Sequence, residues 1–149
     1  MSTWRQKALV SFPDLRGEFQ RPDATIYTLF FELLPRCVEA HQNDDLFELE
    51  KIYAFAEWCM EQKAKDIWNA AAVSFYEHLP DHPRTLRDMA HWVTPQIFAQ
   101  VESLLQWRMT PSAFEKLKAE FCNEQDQGFD DRHEKATRGR KRQPRFFRK

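Results

Sequence analysis

The residues best suited to binding chemistry in this sequence are the cations near its carboxyl end. Between Arg132 and Lys149, nine basic residues stand against one acid, Glu134, so this segment has a net charge of +8. Clustered arginine and lysine bind phosphates without reading sequence, and aromatic rings among them can stack on bases. The candidate nucleic-acid or anion contacts are therefore Arg138, Arg140, Lys141, Arg142, Arg145, Phe146, Phe147, Arg148 and Lys149.

The same basic run fits other roles. It matches an anionic membrane surface, and it also matches either a solubilising tail or a tail that folds back onto an acidic body. Residues 1–131 provide that body, because their 13 basic and 22 acidic residues give a net charge of −9. The near-neutral total of −1 therefore conceals a polarised molecule. The basic run has little to bury, so we predict that residues 129–149 are disordered on their own.

Histidines suggest a metal site less strongly. His78 and His82 have the i, i+4 spacing of a ligand pair, and Asp81 lies beside them. Zinc needs three or four ligands held by rigid elements, and Pro80 breaks the helix that would align this pair. We therefore predict a solvated loop here, and neither a metal nor another cofactor.

Acid–base or nucleophilic catalysis is not favoured either. Glu57, Glu61 and Asp66 are carboxylates near the core helices, but at helical spacing we interpret them as a solvated face rather than as a catalytic pair. No serine lies in a GxSxG turn. Asn69 interrupts an apolar run, so its amide needs partners if it is buried. We expect Asn69 to cross-link loop backbone, with ligand recognition as the alternative.

The elements that must position these residues are predicted to be helices. Val and Ile total 9 against 12 Leu and 14 Ala, which favours helix over strand. No glycine occurs between residues 18 and 127 to form hairpin turns or a phosphate loop. Helical spacing is found at residues 3–10, 23–42, 45–62, 66–78 and 86–92, and after Thr94-Pro95 and Thr110-Pro111. We predict one all-α domain of five or six antiparallel helices over residues 1–128, followed by the basic tail 129–149.

Two of these helices carry further expectations. Pro35 lies inside the second helix and should kink it or split it in two. The run Ile67–Tyr76 is apolar on all sides, which is typical of a central helix, and we expect Trp68 within it to be fully buried. The other aromatic residues at helical spacing are interpreted as core and not as a ligand cage.

Composition also bears on the compartment. The densest apolar stretch is ten residues long, whereas a membrane-spanning helix needs about 20. The amino terminus does not have the pattern of a secretory signal. Cys37, Cys59 and Cys122 are odd in number and widely spaced, so we predict three reduced thiols in a cytoplasmic protein.

Two helical segments carry a family resemblance. The segment from Leu49 to Cys59, followed by Asp66 to Leu79 and by Trp92-Val93-Thr94-Pro95, resembles a family of small all-helical bacterial proteins that is a domain of unknown function. The resemblance covers about residues 12–120. It implies a bacterial cytosolic setting and a loose similarity to immunity or accessory proteins of toxin systems, and it supplies no active-site residues.

Together these observations predict a non-enzymatic protein-interaction module. Its acidic body would bind a basic protein partner of unknown identity, with an immunity-like role as one form of this function. The alternative is a nucleic-acid-associated accessory protein that binds through the basic carboxyl-terminal segment. An enzyme is the third choice.

Overall fold

Helices make up the part of the chain that the structure describes. The computed structural model describes residues 2–124, which contain eight α-helices, two 3-10 helices and no strand. The α-helices are α1 (Thr3–Ser11), α2 (Arg16–Phe19), α3 (Ile26–Gln42), α4 (Leu46–Met60), α5 (Lys65–Ser74), α6 (Pro83–Trp92), α7 (Pro95–Arg108) and α8 (residues 111–124). The 3-10 helices are Pro13–Leu15 and Tyr76–Asp81. The all-α prediction is confirmed, and the expected number of five or six helices is too low.

The chain divides into two compact units between Thr110 and Pro111. The first unit contains α1 to α7, and α8 belongs to the second. The antiparallel order of the helices stays a prediction. The expected boundary between residues 128 and 129 lies outside the described residues.

Side-chain caps fix two of the predicted helix starts. The Asp45 carboxylate accepts a hydrogen bond from the backbone N–H of Glu48 at 3.2 Å, which begins α4. The Thr94 hydroxyl accepts from the backbone N–H of Ile97 at 3.2 Å, and Pro95 takes the first position of α7. Both starts agree with the sequence prediction.

Other boundaries differ from the prediction. α3 begins at Ile26 rather than at residue 23, and it continues through Pro35 without a break. Pro35 is exposed, so the carbonyl that loses its helical donor lies on the solvent side, where an interruption costs least. α5 ends at Ser74, and the 3-10 helix Tyr76–Asp81 replaces the expected helix end and loop.

The start of α6 was also predicted wrongly. Helical spacing predicts this helix over residues 86–92, and Thr85 with Asp88 fits the reciprocal capping pair at its start. The helix instead begins at Pro83, Thr85 lies buried inside its first turn, and Asp88 pairs with His41 on α3.

The core lies among α3, α4 and α5, which pack against one another. Ala70 and Ala71 of α5 are fully buried, and their small side chains let the helices approach closely. The Phe30 ring meets Phe55 at 5.9 Å and Phe75 at 5.8 Å between ring centroids. The expected full burial of Trp68 is wrong: alanines occupy the inner face of α5, and Trp68 is only half-buried, beside a cavity.

Candidate functional site

Three adjoining cavities surround the carboxyl end of α4 and the turn into α5. Their volumes are about 620, 550 and 160 Å³. Glu61 lines the first and the third, Gln62 lines the first and the second, and Met60 and Gln100 line the second and the third. The cavities therefore form one continuous surface, which we call the α4–α5 corner.

The largest cavity combines tryptophan rings with carboxylates, and we call it the tryptophan–carboxylate cavity. It is lined by Ser2, Thr3, Trp4, Trp58, Glu61, Gln62, Lys63, Ala64, Asp66 and Ile67. Both tryptophans already attract cations of this chain. The Lys7 ammonium lies 5.8 Å from the Trp58 ring centroid, and the Arg5 guanidinium lies 4.5 Å from that of Trp4.

The end of α4 is electronegative. Glu57 and Glu61 lie one helical turn apart, and no basic residue lies in the last turn of the helix. Like charges at this spacing repel, and the carboxyl end of a helix dipole favours cations instead. Within residues 2–124, neither Glu61 nor Asp66 forms an ion pair.

The second cavity, which we call the amide cavity, has no charged lining residue. Its lining consists of Met60, Gln62, Trp68, Asn69, Ala72, Val73, Gln100 and Leu104. Asn69 Nδ2 donates to the Tyr27 hydroxyl of α3 at 2.9 Å. The expectation that Asn69 ties down loop backbone is therefore wrong: its partner is a side chain, and the residue lines a cavity that a ligand can enter.

A hydrogen-bonded chain of polar side chains is buried away from this corner. The Tyr53 hydroxyl lies 2.8 Å from His41 Nε2, and His41 Nδ1 lies 3.3 Å from the Asp88 carboxylate. The neutral imidazole with its proton on Nδ1 satisfies both bonds, since it donates to Asp88 and accepts from Tyr53. Tyr53 is also hydrogen-bonded to Cys37, and Arg87 holds Asp88 from the outside at 2.8 Å.

Burial sets the protonation of this chain. It lowers the pKa of His41, against the hydrogen bond and charge of Asp88. Burial raises the pKa of the Cys37 thiol to about 12. For Asp88, burial raises the pKa, but hydrogen bonds from Arg87 and His41 outweigh it and hold the pKa below its usual range. None of these residues lines the three cavities of the corner, so the chain fastens α3, α4 and α6 together rather than contacting a ligand there.

The histidines considered for a metal are engaged differently. His78 Nδ1 lies 3.1 Å from Asp81, and the Arg108 guanidinium also binds Asp81 through two contacts of 2.9 and 2.7 Å. The hydrogen bond from Arg108 lowers the pKa of Asp81, with burial opposing it. His82 is exposed. No group of three potential metal ligands occurs among residues 2–124. The Asp81 carboxylate therefore anchors Arg108 at the end of α7.

Residues 5–108 match the family described as Domain of unknown function (DUF7674). The chain belongs to this family. The match covers more than half of the chain and overlaps most of the segment in which the resemblance was seen. No curated protein and no solved structure matches the chain.

The family match includes most of the α4–α5 corner of this DUF7674 member. Trp58, Glu61, Asp66 and Trp68 fall within it, whereas Ser2, Thr3 and Trp4 precede it. Trp4 lies far from Trp58, Glu61 and Asp66 in the sequence and meets them only through folding. The sequence signal that could have indicated the corner is the Trp58–Glu61 spacing at the end of α4, with no basic residue nearby on that helix turn.

The basic residues predicted to bind anions, from Arg138 to Lys149, lie outside the described residues and outside the family match. No helix of the part of the chain that the structure describes is long and apolar enough to cross a membrane.

Proposed function

We propose that this DUF7674 member is a non-enzymatic interaction module of the bacterial cytoplasm that binds a basic segment of a partner protein at the α4–α5 corner. An immunity-like or accessory role in a toxin system is one form of this proposal. The observation that carries it is the tryptophan–carboxylate cavity. Trp58, Glu61 and Asp66 together offer a cationic side chain an aromatic face and two carboxylates.

Three features support a cation as the occupant. The end of α4 concentrates negative charge that the helix does not neutralise. The tryptophan rings of the cavity already draw Lys7 and Arg5 toward them. The net charge of −9 over residues 1–131 attracts a basic partner to the protein.

Neutralising the two carboxylates tests the proposal. A protein captured from the native host is identified by mass spectrometry, purified and titrated against the full-length chain and its variants. We expect the double variant Glu61→Gln with Asp66→Asn to bind about tenfold more weakly, which is about 1.4 kcal/mol. The matched control, Glu39→Gln with Glu50→Gln, removes the same charge from exposed positions of α3 and α4.

The control separates local binding from net charge. Equal weakening in both double variants would indicate general electrostatic attraction and contradict a docking site at the corner. Unchanged affinity in the Glu61/Asp66 variant would contradict the proposal directly.

The +8 charge between Arg132 and Lys149 favours nucleic-acid binding as a second candidate function. If about five phosphates are contacted, the logarithm of affinity should fall with the logarithm of salt concentration at a slope of about −4.5 on duplex DNA and about −3.5 on single strands. Fluorescence anisotropy measures both slopes. The comparison is between the full chain and a variant in which the nine basic residues of this segment are glutamines. Equal binding by the two proteins, or none by either at low salt, would contradict this alternative.

A further inference from the structure

The amide cavity differs chemically from its neighbour. It has an open volume of about 550 Å³, and Met60, Trp68, Val73 and Leu104 give it an apolar lining. The polar groups that reach it are uncharged amides, among them those of Asn69. Such a cavity disfavours a charged side chain, because no opposite charge in the lining would offset the free energy of desolvating it. It suits an apolar side chain whose adjoining peptide groups hydrogen-bond the amides.

The helix face that carries two of these lining residues also carries an exposed tryptophan. Trp107 is 88% exposed, and it follows Leu104 by three positions and Gln100 by seven on α7. Residues at these spacings share one face of a helix. Exposed tryptophans are the kind of residue that dominates binding energy in protein interfaces.

The two cavities are joined through Gln62, which lines both. Cavities of about 550 and 620 Å³ are each roughly 10 Å across if they are treated as spheres. Two touching spheres of this size have centres about 10 Å apart, and an extended peptide advances about 7 Å over two residues and about 13 Å over four. Residues two or four apart in an extended peptide also point to the same side, whereas residues three apart point to opposite sides. One short segment therefore reaches both.

We propose that the amide cavity receives an uncharged apolar side chain from the same peptide segment whose basic side chain occupies the tryptophan–carboxylate cavity. The partner motif is a lysine or arginine separated by two or four residues from a leucine-sized side chain, so that both side chains face the corner. This inference rests on the proposed function, because it assigns the second half of the same docking surface.

Defined peptides test the motif. Fluorescently labelled eight-residue peptides of glycine and serine carry one lysine and one leucine at separations of one to five residues, and anisotropy titrations use the full-length protein. We expect leucine at a separation of two or four to raise affinity about tenfold over the same peptide with alanine. Leucine at the other separations should add little.

A cavity-filling variant assigns the gain to its pocket. Gln100 lines the amide cavity and is exposed. Gln100→Trp therefore fills the cavity without changing a residue of the core. It should abolish the leucine gain and leave the affinity for the lysine-only peptide unchanged. The matched control is Gln106→Trp, at an exposed position on another face of α7, and it should retain the gain.

Two results would overturn the inference. One is an equal gain at every separation, and the other is a gain that survives Gln100→Trp. A third result would overturn the proposed function itself. In that result, peptide affinity changes neither when the lysine is removed nor when Glu61→Gln and Asp66→Asn are introduced.

Discussion

The buried tyrosines Tyr53 and Tyr76 allow a matched test of the hydrogen-bonded chain around His41. The Tyr53 hydroxyl lies 2.8 Å from His41 Nε2 in the protein interior. The Tyr76 hydroxyl is also buried, but it has no hydrogen-bond partner among the described residues. Replacing each tyrosine with phenylalanine removes the same atom from two sites that differ in this respect.

The expected effects have opposite signs. Tyr53→Phe leaves the buried Nε2 of His41 without its donor, and an unsatisfied buried polar group costs about 1–3 kcal/mol. Tyr76→Phe removes a hydroxyl that was desolvated without compensation, so we expect no loss or a gain of up to about 1 kcal/mol. For a protein of this size, a loss of about 2 kcal/mol lowers the melting temperature by about 4–8 °C.

Urea unfolding followed by tryptophan fluorescence measures both free energies, and calorimetry measures the melting temperatures. The wild-type chain and both variants are compared at pH 7.5, where His41 is neutral. Equal free energies of unfolding for the two variants would refute the assignment of the hydrogen bond to Tyr53. A Tyr76→Phe variant less stable than Tyr53→Phe would refute it as well.

Two further predictions concern protonation and thiol reactivity. Burial lowers the pKa of His41, so the unfolded state binds the proton more tightly, and stability should fall as pH drops below about 6.5 toward the folded pKa. His41→Gln should flatten this dependence in urea titrations from pH 7.5 to 5, whereas His82→Gln, at an exposed position, should retain it. Cys122 is exposed, while Cys37 and Cys59 are buried with pKa values that burial raises, so iodoacetamide at pH 8 should add one adduct per native chain by mass spectrometry. Three rapid adducts would contradict the burial of these two thiols.

Local signals in the sequence were sufficient for much of the helical architecture. The caps at Asp45 and Thr94 act through atoms three residues away, so their neighbours in sequence determine them. The effect of Pro35 was harder to predict, because a proline in a helix is tolerated or disruptive according to which side faces solvent. That side is set by the packing of α3 and not by the residues around the proline.

The Trp58–Glu61 spacing on α4 indicates one part of the corner, but the corner as a whole could not be predicted for a similar reason. Trp4, Trp58 and Asp66 come from α1, α4 and α5, and nothing in their spacing indicates that they share a cavity. The partial exposure of Trp68 could not be predicted from its neighbours in sequence either. A mostly apolar run marks a helix as central, but it does not show which of its positions face the core and which lie beside a cavity.

The core of α3, α4 and α5 is built from consecutive helices, and this has a consequence for the order of folding. Contacts between neighbours along the chain close short loops, so they form early and fast. Synthesis from the amino terminus completes α1, α4 and α5, and with them the tryptophan–carboxylate cavity, before α7 has emerged. The amide cavity is complete only after Gln100 and Leu104 of α7 have been synthesised. We expect the tryptophan–carboxylate cavity to be present on the nascent chain while the amide cavity is still unformed. Under the proposed function, a newly made chain would then bind the basic side chain of its partner before the apolar one.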